Sequence, residues 1–387
     1  MRILVVSGIV PAPPDRGDRI RGYEMLQALR EFGEVHLAVT GSEVVRPTAA
    51  QALDTIGVHV QQFPVSATER LLEIAGAALS GRPWGTWRAA RVANELRAWD
   101  SRWDLVIGFQ LKSAYYAANV PAQLRVLELT DSLGLYRRML PAFRNPVRWL
   151  SLSGAAREEA RWAARFDATF VCAEQDALEI AKHAASSNIH IVANGAECWD
   201  VPVSATVRKD SLLFVGSLHY PPNRDGLRWL IREVWPSVAA SHPELSLRVV
   251  GEGPHSSKRL ASGPRVCWTG YLPDLAPEYE RALALVNPVQ YGTGTRRKIL
   301  YAWGAGVPVV STSEGAKGLH GQSGKHLMIA DQPEEFARAI DALSSKPDVW
   351  AGLSTSGWEL ARNHYGPKNI WGQALRNLFG ARLPQDR

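Results

Sequence analysis

Short β-branched runs alternate with helical stretches along the whole chain, and the pattern stops and restarts near the middle, which restricts the fold to two parallel α/β units in tandem. Ile3 to Val6 is the first run and breaks at Gly8, as suits a strand buried on both faces of a parallel sheet. The loop VPAPPDRGDR leads into a helix with apolar positions Ile20, Met25, Leu26 and Leu29, ended by Gly33, and Val35 to Val39 is the next strand. Leu105 to Gly108, Val126 to Leu129, Thr169 to Cys172 and Ile189 to Val192 continue the series. A polar stretch from Cys198 to Asp210 reads as a linker. The pattern then restarts with strands at Leu212 to Val215, Leu247 to Val250, Val266 to Thr269, Ala282 to Asn287, Pro308 to Ser311 and His326 to Ile329, with a helix over Gly226 to Val238. From about Pro333 onward two or three helices are expected. The implied class is α/β, two Rossmann-like doubly wound domains.

Size agrees with that division, because 387 residues exceed what one hydrophobic core usually serves. Apolar residues at 46% and charged residues at 21% exclude a disordered chain. The net charge of +6, from 44 Lys and Arg against 38 Asp and Glu, is too small and too scattered to indicate a nucleic-acid groove. It fits anionic ligands or an anionic membrane surface equally well. Cys172, Cys198 and Cys267 lie far apart with no partner at metal-ligand spacing, so no metal site is expected and a reducing, cytoplasmic setting is the simpler one. The opening apolar run is too short for a signal-peptide core, and no apolar stretch is long enough to span a membrane.

Ligands of open parallel sheets bind beyond the carboxyl ends of strands, where glycines admit close backbone approach and helix N-termini offer unpaired N–H groups. The segment NPVQYGTGTRRKILYAWGAGVPVVST assembles those parts: a strand end at Asn287, a turn at Gly292 and Gly294, a helix opened by Thr295, Arg296 and Lys298, and closure at Gly306 and Pro308. Cations in a first helical turn oppose the macrodipole unless an anion binds there, which favours a diphosphate site over a merely solvated basic turn.

Eight ordered landmarks carry a resemblance that covers essentially the whole chain. FVGSLHYPPNRDGLRWL, VVGEGP, TGYLPD, GTGTRRKILYAWGAGVPVVST and EGAKGL are similar to the C-terminal domain of glycosyltransferase family 4 and its relatives, the group 1 glycosyl transferases. GIVPAPPDRGDRIR, LELTDSLGLYRRM and NGAE resemble landmarks of that family's first domain. The resemblance implies a GT-B architecture: an acceptor domain over 1–203, a donor domain over 204–361 facing it across a cleft, and a last helix, about 362–387, that crosses back to the first domain. It also implies transfer of a sugar from a nucleotide diphosphate sugar to an acceptor hydroxyl, with retention and without an essential metal or other cofactor. Such enzymes build surface polysaccharides and glycoconjugates or decorate natural products.

Residue by residue, the resemblance places Gly216, Ser217, Asn223 and Gly226 around the donor, with Asn223 and Gly226 in a loop. It puts Gly251 and Gly253 beside the base, Tyr271 and Leu272 with Pro273 in the base pocket, and Gly294, Thr295, Arg296 and Lys298 on the diphosphate. Arg16 and Gly17 belong to the acceptor-side loop, and Asp131 is the group expected to touch the transferred sugar or the acceptor hydroxyl. Several of these residues have ordinary alternatives. Asp131 can cap the following helix, Asn223 can be a turn residue, His219 can be solvated, and Trp229, Trp235 and Trp303 read better as core than as sugar platforms.

The chain departs from the family where the donor helix usually carries two glutamates eight positions apart; Thr293 and Tyr301 stand there instead. A phenol at Tyr301 offers one hydroxyl where a carboxylate offers two acceptor oxygens to a ribose. The basic residue common after the first donor strand is also replaced, by Ser217, with Arg224 close by in sequence. These departures keep open a second reading, a catalytically silent GT-B partner that binds nucleotide or an active transferase. A nicotinamide dehydrogenase is disfavoured, since no G-x-G-x-x-G follows the first strand, and the motifs suit a sugar-nucleotide epimerase less well. The segment YRRMLPAFRNPVRWL, from Tyr136 to Leu150, alternates Arg with large apolar residues and is a candidate for peripheral contact at the inner membrane face, where a lipid-linked acceptor would lie. Arginines of this kind also snorkel along ordinary amphipathic helices.

Overall fold

The computed structural model describes residues 1–99, 102–140, 142, 146–184, 188–203, 209–254, 263–292 and 297–379. The chain forms two compact units, Met1–Asn194 with Pro367–Arg387, and Gly195–Gly366. In the first, seven strands form one sheet: β1 (Arg2–Ser7), β2 (Glu34–Val39), β3 (Val58–Gln62), β4 (Trp103–Phe109), β5 (Ala122–Thr130), β6 (Ala168–Val171) and β7 (Ile189–Ile191). Their order is β3-β2-β1-β4-β5-β6-β7, and each pairing is parallel. The order reverses between β1 and β4, which opens a crevice at their carboxyl ends.

Alternate side chains of β1 feed two cores. Ile3 and Val5 join Met25, Leu26 and Leu29 of the helix Gly17–Leu29, while Leu4 and Val6 join Val92, Val106 and Tyr116 on the other face. β3 had no counterpart among the sequence expectations. As an edge strand it alternates buried Val58 with exposed His59 and Gln61, so it carries no continuous apolar run.

A buried ion pair ties this unit together. Arg21 and Glu128 are both 0% exposed, and the guanidinium meets the carboxylate through two bonds, Nε to Oε1 at 2.8 Å and Nη2 to Oε2 at 3.1 Å. Arg21 also donates to the carbonyls of Val192 and Ala193 and to Asn194 Oδ1, at 2.8, 3.0 and 3.2 Å. Its guanidinium carbon lies 4.8 Å from the ring centroid of Trp371, on the returning helix Pro367–Phe379. That helix buries Trp371, Leu375 and Phe379 in the first unit's core, as expected of the last helix.

In the second unit six strands form a sheet in the order β10-β9-β8-β11-β12-β13, again with parallel pairings: β8 (Ser211–Val215), β9 (Ser246–Val250), β10 (Val266–Gly270), β11 (Ala282–Asn287), β12 (Val309–Ser311) and β13 (Met328–Ile329). Here the reversal falls between β8 and β11. The helix expected to begin at Gly226 begins at Pro221 instead, so Asn223 and Gly226 are helical and not part of a loop. Prolines suit a first turn because their missing N–H would be unbonded there anyway. The same helix continues through a π turn, Leu230–Val234, into Trp235–Ser241. Pro236 has no N–H for the carbonyl of Arg232, which accounts for the local widening. Trp235 and Trp303 are core residues whose indoles donate to the carbonyls of Pro264 and His326, and Trp229 packs edge-on against Phe336.

The boundaries expected at 203/204 and 361/362 both fall inside the second unit. The stretch after Gly195 is hydrogen-bonded to that unit: the N–H groups of Ala196, Trp199 and Val203 donate to the carbonyls of Tyr365, Gly304 and Ala305. Trp358 Nε1 adds a bond to the Trp199 carbonyl at 2.9 Å.

Removing one partner of a buried, hydrogen-bonded ion pair leaves an uncompensated charge, at a cost of about 3–5 kcal/mol. Arg21→Met is expected to lower unfolding stability by that amount in urea titration. Adding Glu128→Leu should recover most of it; a double variant no better than the single one would show that the pair is not what holds these elements.

Candidate functional site

Five of the expected donor residues meet at the switch point of the second sheet. Gly216 ends β8 and Gly251 ends β9; a Cβ on Gly251 would lie 2.2 Å from the Gly216 carbonyl oxygen, so the two turns pack backbone to backbone. A Cβ on Gly216 would lie 2.6 Å from Asn223 Nδ2 and 3.0 Å from Lys298 Nζ. Asn223 bridges the cluster, donating Nδ2 to the Ser217 carbonyl at 3.0 Å and accepting from Lys298 Nζ at 2.8 Å through Oδ1. Lys298 sits in the first turn of the helix Arg297–Ala305, with its ammonium 5.0 Å from the Phe214 ring centroid. A cation, a side-chain amide and two closely packed glycine turns thus converge at the switch point of the sheet.

Around this cluster the second unit contributes less tightly placed groups. Tyr271 and Leu272 follow β10, Tyr271 with its ring half exposed, and the Gly251 N–H donates to the Gly270 carbonyl beside them at 2.8 Å. Gly253 lies in the turn after Gly251. Tyr301 accepts a hydrogen bond from Arg297 Nη1 at 3.0 Å, four residues earlier on the same helix face. Gly294, Thr295 and Arg296, with Thr293, lie outside the described residues.

In the first unit Asp131 follows β5 and is not the cap of the next helix. Ser132 caps Leu133–Met139, its hydroxyl accepting from the Leu135 N–H. Asp131 Oδ1 instead accepts from the Cys172 thiol at 2.8 Å. Asp131, Cys172 and Asp176 form a cluster whose polar atoms lie within 4.8 Å of one another. Burial and the nearby carboxylates push the Cys172 thiol well above its ordinary pKa, so it is a neutral donor that orients Asp131. Behind them Glu159 is wholly buried and accepts from Ser132 Oγ, the Leu133 N–H and the Gly134 N–H at 2.8, 2.5 and 3.2 Å. Arg16 precedes the helix Gly17–Leu29 and pairs with Asp18 at 2.7 Å, while a Cβ on Gly17 would meet open space. The basic segment is largely engaged within the unit: Arg137 stacks 3.9 Å from the Trp149 ring centroid, Arg138 pairs with Glu179, and Arg148 bonds Tyr136.

Residues 209–346 match the family described as glycosyl transferases group 1. The matched residues lie within the second unit. Across its whole length the chain has the GT-B fold of solved transferases. It is similar to HepE of Anabaena, solved with UDP and glucose, at TM-score 0.67 and 15% identity over 98% of this chain and 100% of that one. Sucrose-phosphate synthase of Thermosynechococcus elongatus matches at TM-score 0.70 and 16% identity, again over 98% and 100%. S. aureus TarM, solved with UDP, fondaparinux and α-GlcNAc-glycerol, matches at 0.71 and 11%, over 98% and 100%. Among curated proteins an uncharacterized 44.6 kDa protein in the cps region of Klebsiella pneumoniae is 26% identical over 175 residues; the match spans 43% of this chain and 45% of that protein, so less than half of either.

Within the second unit the sequence reading missed Arg297, Asp225, Tyr291 and Asn287. Tyr291 donates to Asp225 Oδ2 at 2.7 Å, linking the strand-to-helix loop to the helix behind Gly216. Asn287, at the end of β11, donates Nδ2 to Ser311 Oγ and the Gly315 carbonyl, and its buried Oδ1 has no hydrogen-bond partner among the described residues. A polar residue closing an apolar strand at a switch point was the available signal for Asn287. The pairing of Tyr291 with Asp225 spans 66 positions and left none.

Glu159 supplies a pH test of the Asp131 neighbourhood. Burial, opposed by its three hydrogen bonds, pushes its pKa from 4.5 up to about 7. The folded state therefore holds this proton to higher pH than the unfolded chain does. The associated stability is complete below about 4.5 and is lost as pH rises through about 7. The melting temperature of the native protein relative to Glu159→Gln is expected to fall across that window. A constant difference would show that Glu159 does not titrate there.

Proposed function

We propose that this protein transfers a sugar from a nucleoside diphosphate sugar, bound in the second unit, to the hydroxyl of an acceptor bound in the first. The observation that carries the proposal is the convergence of Gly216, Asn223, Gly251 and Lys298 at the β8/β11 switch point. A diphosphate there meets an ammonium that already makes a hydrogen bond with good geometry. With Arg297 and Lys298 in the first helical turn, protein cations stand where they would balance the diphosphate charge, which supports a reaction needing no metal or other cofactor. Asp131, held by Cys172 at the end of β5, is the group for the transferred sugar or the accepting hydroxyl, and we assign the reaction retention at the anomeric carbon. The complexes of HepE with UDP and glucose and of pneumococcal GtfA with UDP and GlcNAc support a uridine donor. The relative from a cps region supports a place in surface polysaccharide biosynthesis.

The test is thermal stabilisation by a panel of nucleoside diphosphates and their sugars, since a ligand that binds only the folded state adds about 2.7 kcal/mol at a hundredfold excess over its Kd. UDP is expected to raise the melting temperature, and Lys298→Ala to weaken its binding about tenfold, the worth of one hydrogen bond to a charged group. No shift with any nucleotide at millimolar concentration would overturn the donor site. Binding without donor hydrolysis or transfer would leave the silent-partner reading, which the Arg297–Tyr301 pair at the ribose position favours.

We further propose that the first unit touches an anionic membrane surface, where a lipid-linked acceptor would be presented. No helix among the described residues is long and apolar enough to cross a membrane. Leu71, Leu72 and Leu79 of the helix Ala67–Ser80 and Val147 and Leu150 of Pro146–Ser151 are more than half exposed, and a Cβ on Gly154 would lie 1.8 Å from the Gly81 carbonyl oxygen, so the chain beyond these two helices runs side by side. Co-sedimentation with anionic vesicles is expected, and Leu72→Glu with Leu79→Glu should abolish it. Sedimentation indifferent to lipid charge and to these substitutions would refute the contact.

A further inference from the structure

The first sheet has its own switch point, and the donor site leaves it unused. A hollow of about 180 Å³ lies at the carboxyl ends of β1, β2 and β4, lined by Gly8 after β1, Thr40 and Ser42 after β2, and Lys112 after β4. Trp87 and Tyr116 complete its walls. That volume is below the roughly 300 Å³ at which sites for larger organic ligands begin, so it suits one sugar ring and not a whole nucleotide.

One cation lining this hollow has no acid of its own: Lys112 is exposed, and among the described residues its Nζ has no hydrogen-bond or ion-pair partner. The acids within reach are already committed. Glu43 also lines the hollow, but it accepts from the Val10 N–H at 3.0 Å and from the Arg19 guanidinium. Asp18 accepts from Arg16 Nε at 2.7 Å and from the Arg19 N–H at 2.9 Å. Desolvation, then repulsion from Arg148, holds the Lys112 ammonium below its ordinary pKa, partly offset by the attraction of Asp18. An exposed cation whose neighbouring acids are already paired is available as the counter-ion of an anion held in the hollow.

We infer that the hollow binds an oxyanion carried by the acceptor sugar, a carboxylate or a phosphate, with Lys112 as its counter-ion and Trp87 as its aromatic wall. This rests on the reading of the first unit as the acceptor side. The acceptor is accordingly an acidic sugar, a uronic acid or a phosphorylated sugar, and the reaction that supplies it is an oxidation at the sugar's primary alcohol or a phosphorylation.

Saturation-transfer NMR on the intact protein, with glucose, glucuronate and glucose 6-phosphate as separate probes, tests this. One or both anions are expected to bind about tenfold more tightly than glucose, the order given by one charge-assisted contact, and the preferred anion tells carboxylate from phosphate. Lys112→Gln should erase the preference, Lys112→Arg should keep it, and Trp87→Phe should weaken binding of the anions. Glucose binding as tightly as both anions, no binding of either anion, or a preference that survives Lys112→Gln would each overturn the inference. Melting of each variant checks its folding. The nucleotide panel on the same samples reads the second unit separately. UDP binding without an anion preference sinks only the acidic acceptor, and an anion preference without UDP binding sinks only the transferase reading.

Discussion

A guanidinium sealed from water must find every partner within the protein, and Arg21 finds them on three separate pieces of the first unit: the Glu128 carboxylate on β5, the Val192 and Ala193 carbonyls with the Asn194 side chain, and the ring of Trp371 on the returning helix. Those groups meet where the chain leaves the first unit and where it re-enters it. Because the charge is worthless unless all of its bonds are made, the pair couples the exit, the return and the central sheet into one cooperative arrangement. Asp131 lies three residues beyond Glu128 at the end of the same strand, so the group assigned to chemistry inherits its position from the ion pair.

Both sheets then use one device. Where strand order reverses, neighbouring loops part and the carboxyl ends of two strands are left uncovered. In the second unit the opening is lined by glycine backbone and closed by the bridge from Lys298 through Asn223 to Ser217. In the first it is lined by Lys112 and Trp87. Each is a property of a single doubly wound sheet with suitable residues at its switch point.

Much of this was legible in the sequence. Buried parallel strands are continuous apolar runs, so all but the half-exposed β3 could be read, and Gly216, Gly251 and Lys298 could be placed through motifs that keep glycine and cation in fixed order. Local chemistry misled at the helix after β8, where Pro221 and Pro222 look like a turn but occupy positions of a first helical turn that need no N–H. At Asp131 the neighbouring Ser132 took the capping role, which freed the carboxylate to meet Cys172.

What the sequence by itself determined was the periodic part: two α/β repeats, their strands, and the order of the glycine and basic landmarks, because hydrophobic period and backbone permissiveness are local properties. Tertiary structure alone decided which distant polar groups share a space. Arg21 meeting Glu128 across 107 positions, Lys298 meeting Asn223 across 75, and Lys112 left with no acid of its own are outcomes of packing. A lysine or arginine looks the same in the sequence whether solvent, a carboxylate or a ligand will balance it, since burial and distance set the energy of a charge and only the folded chain fixes both.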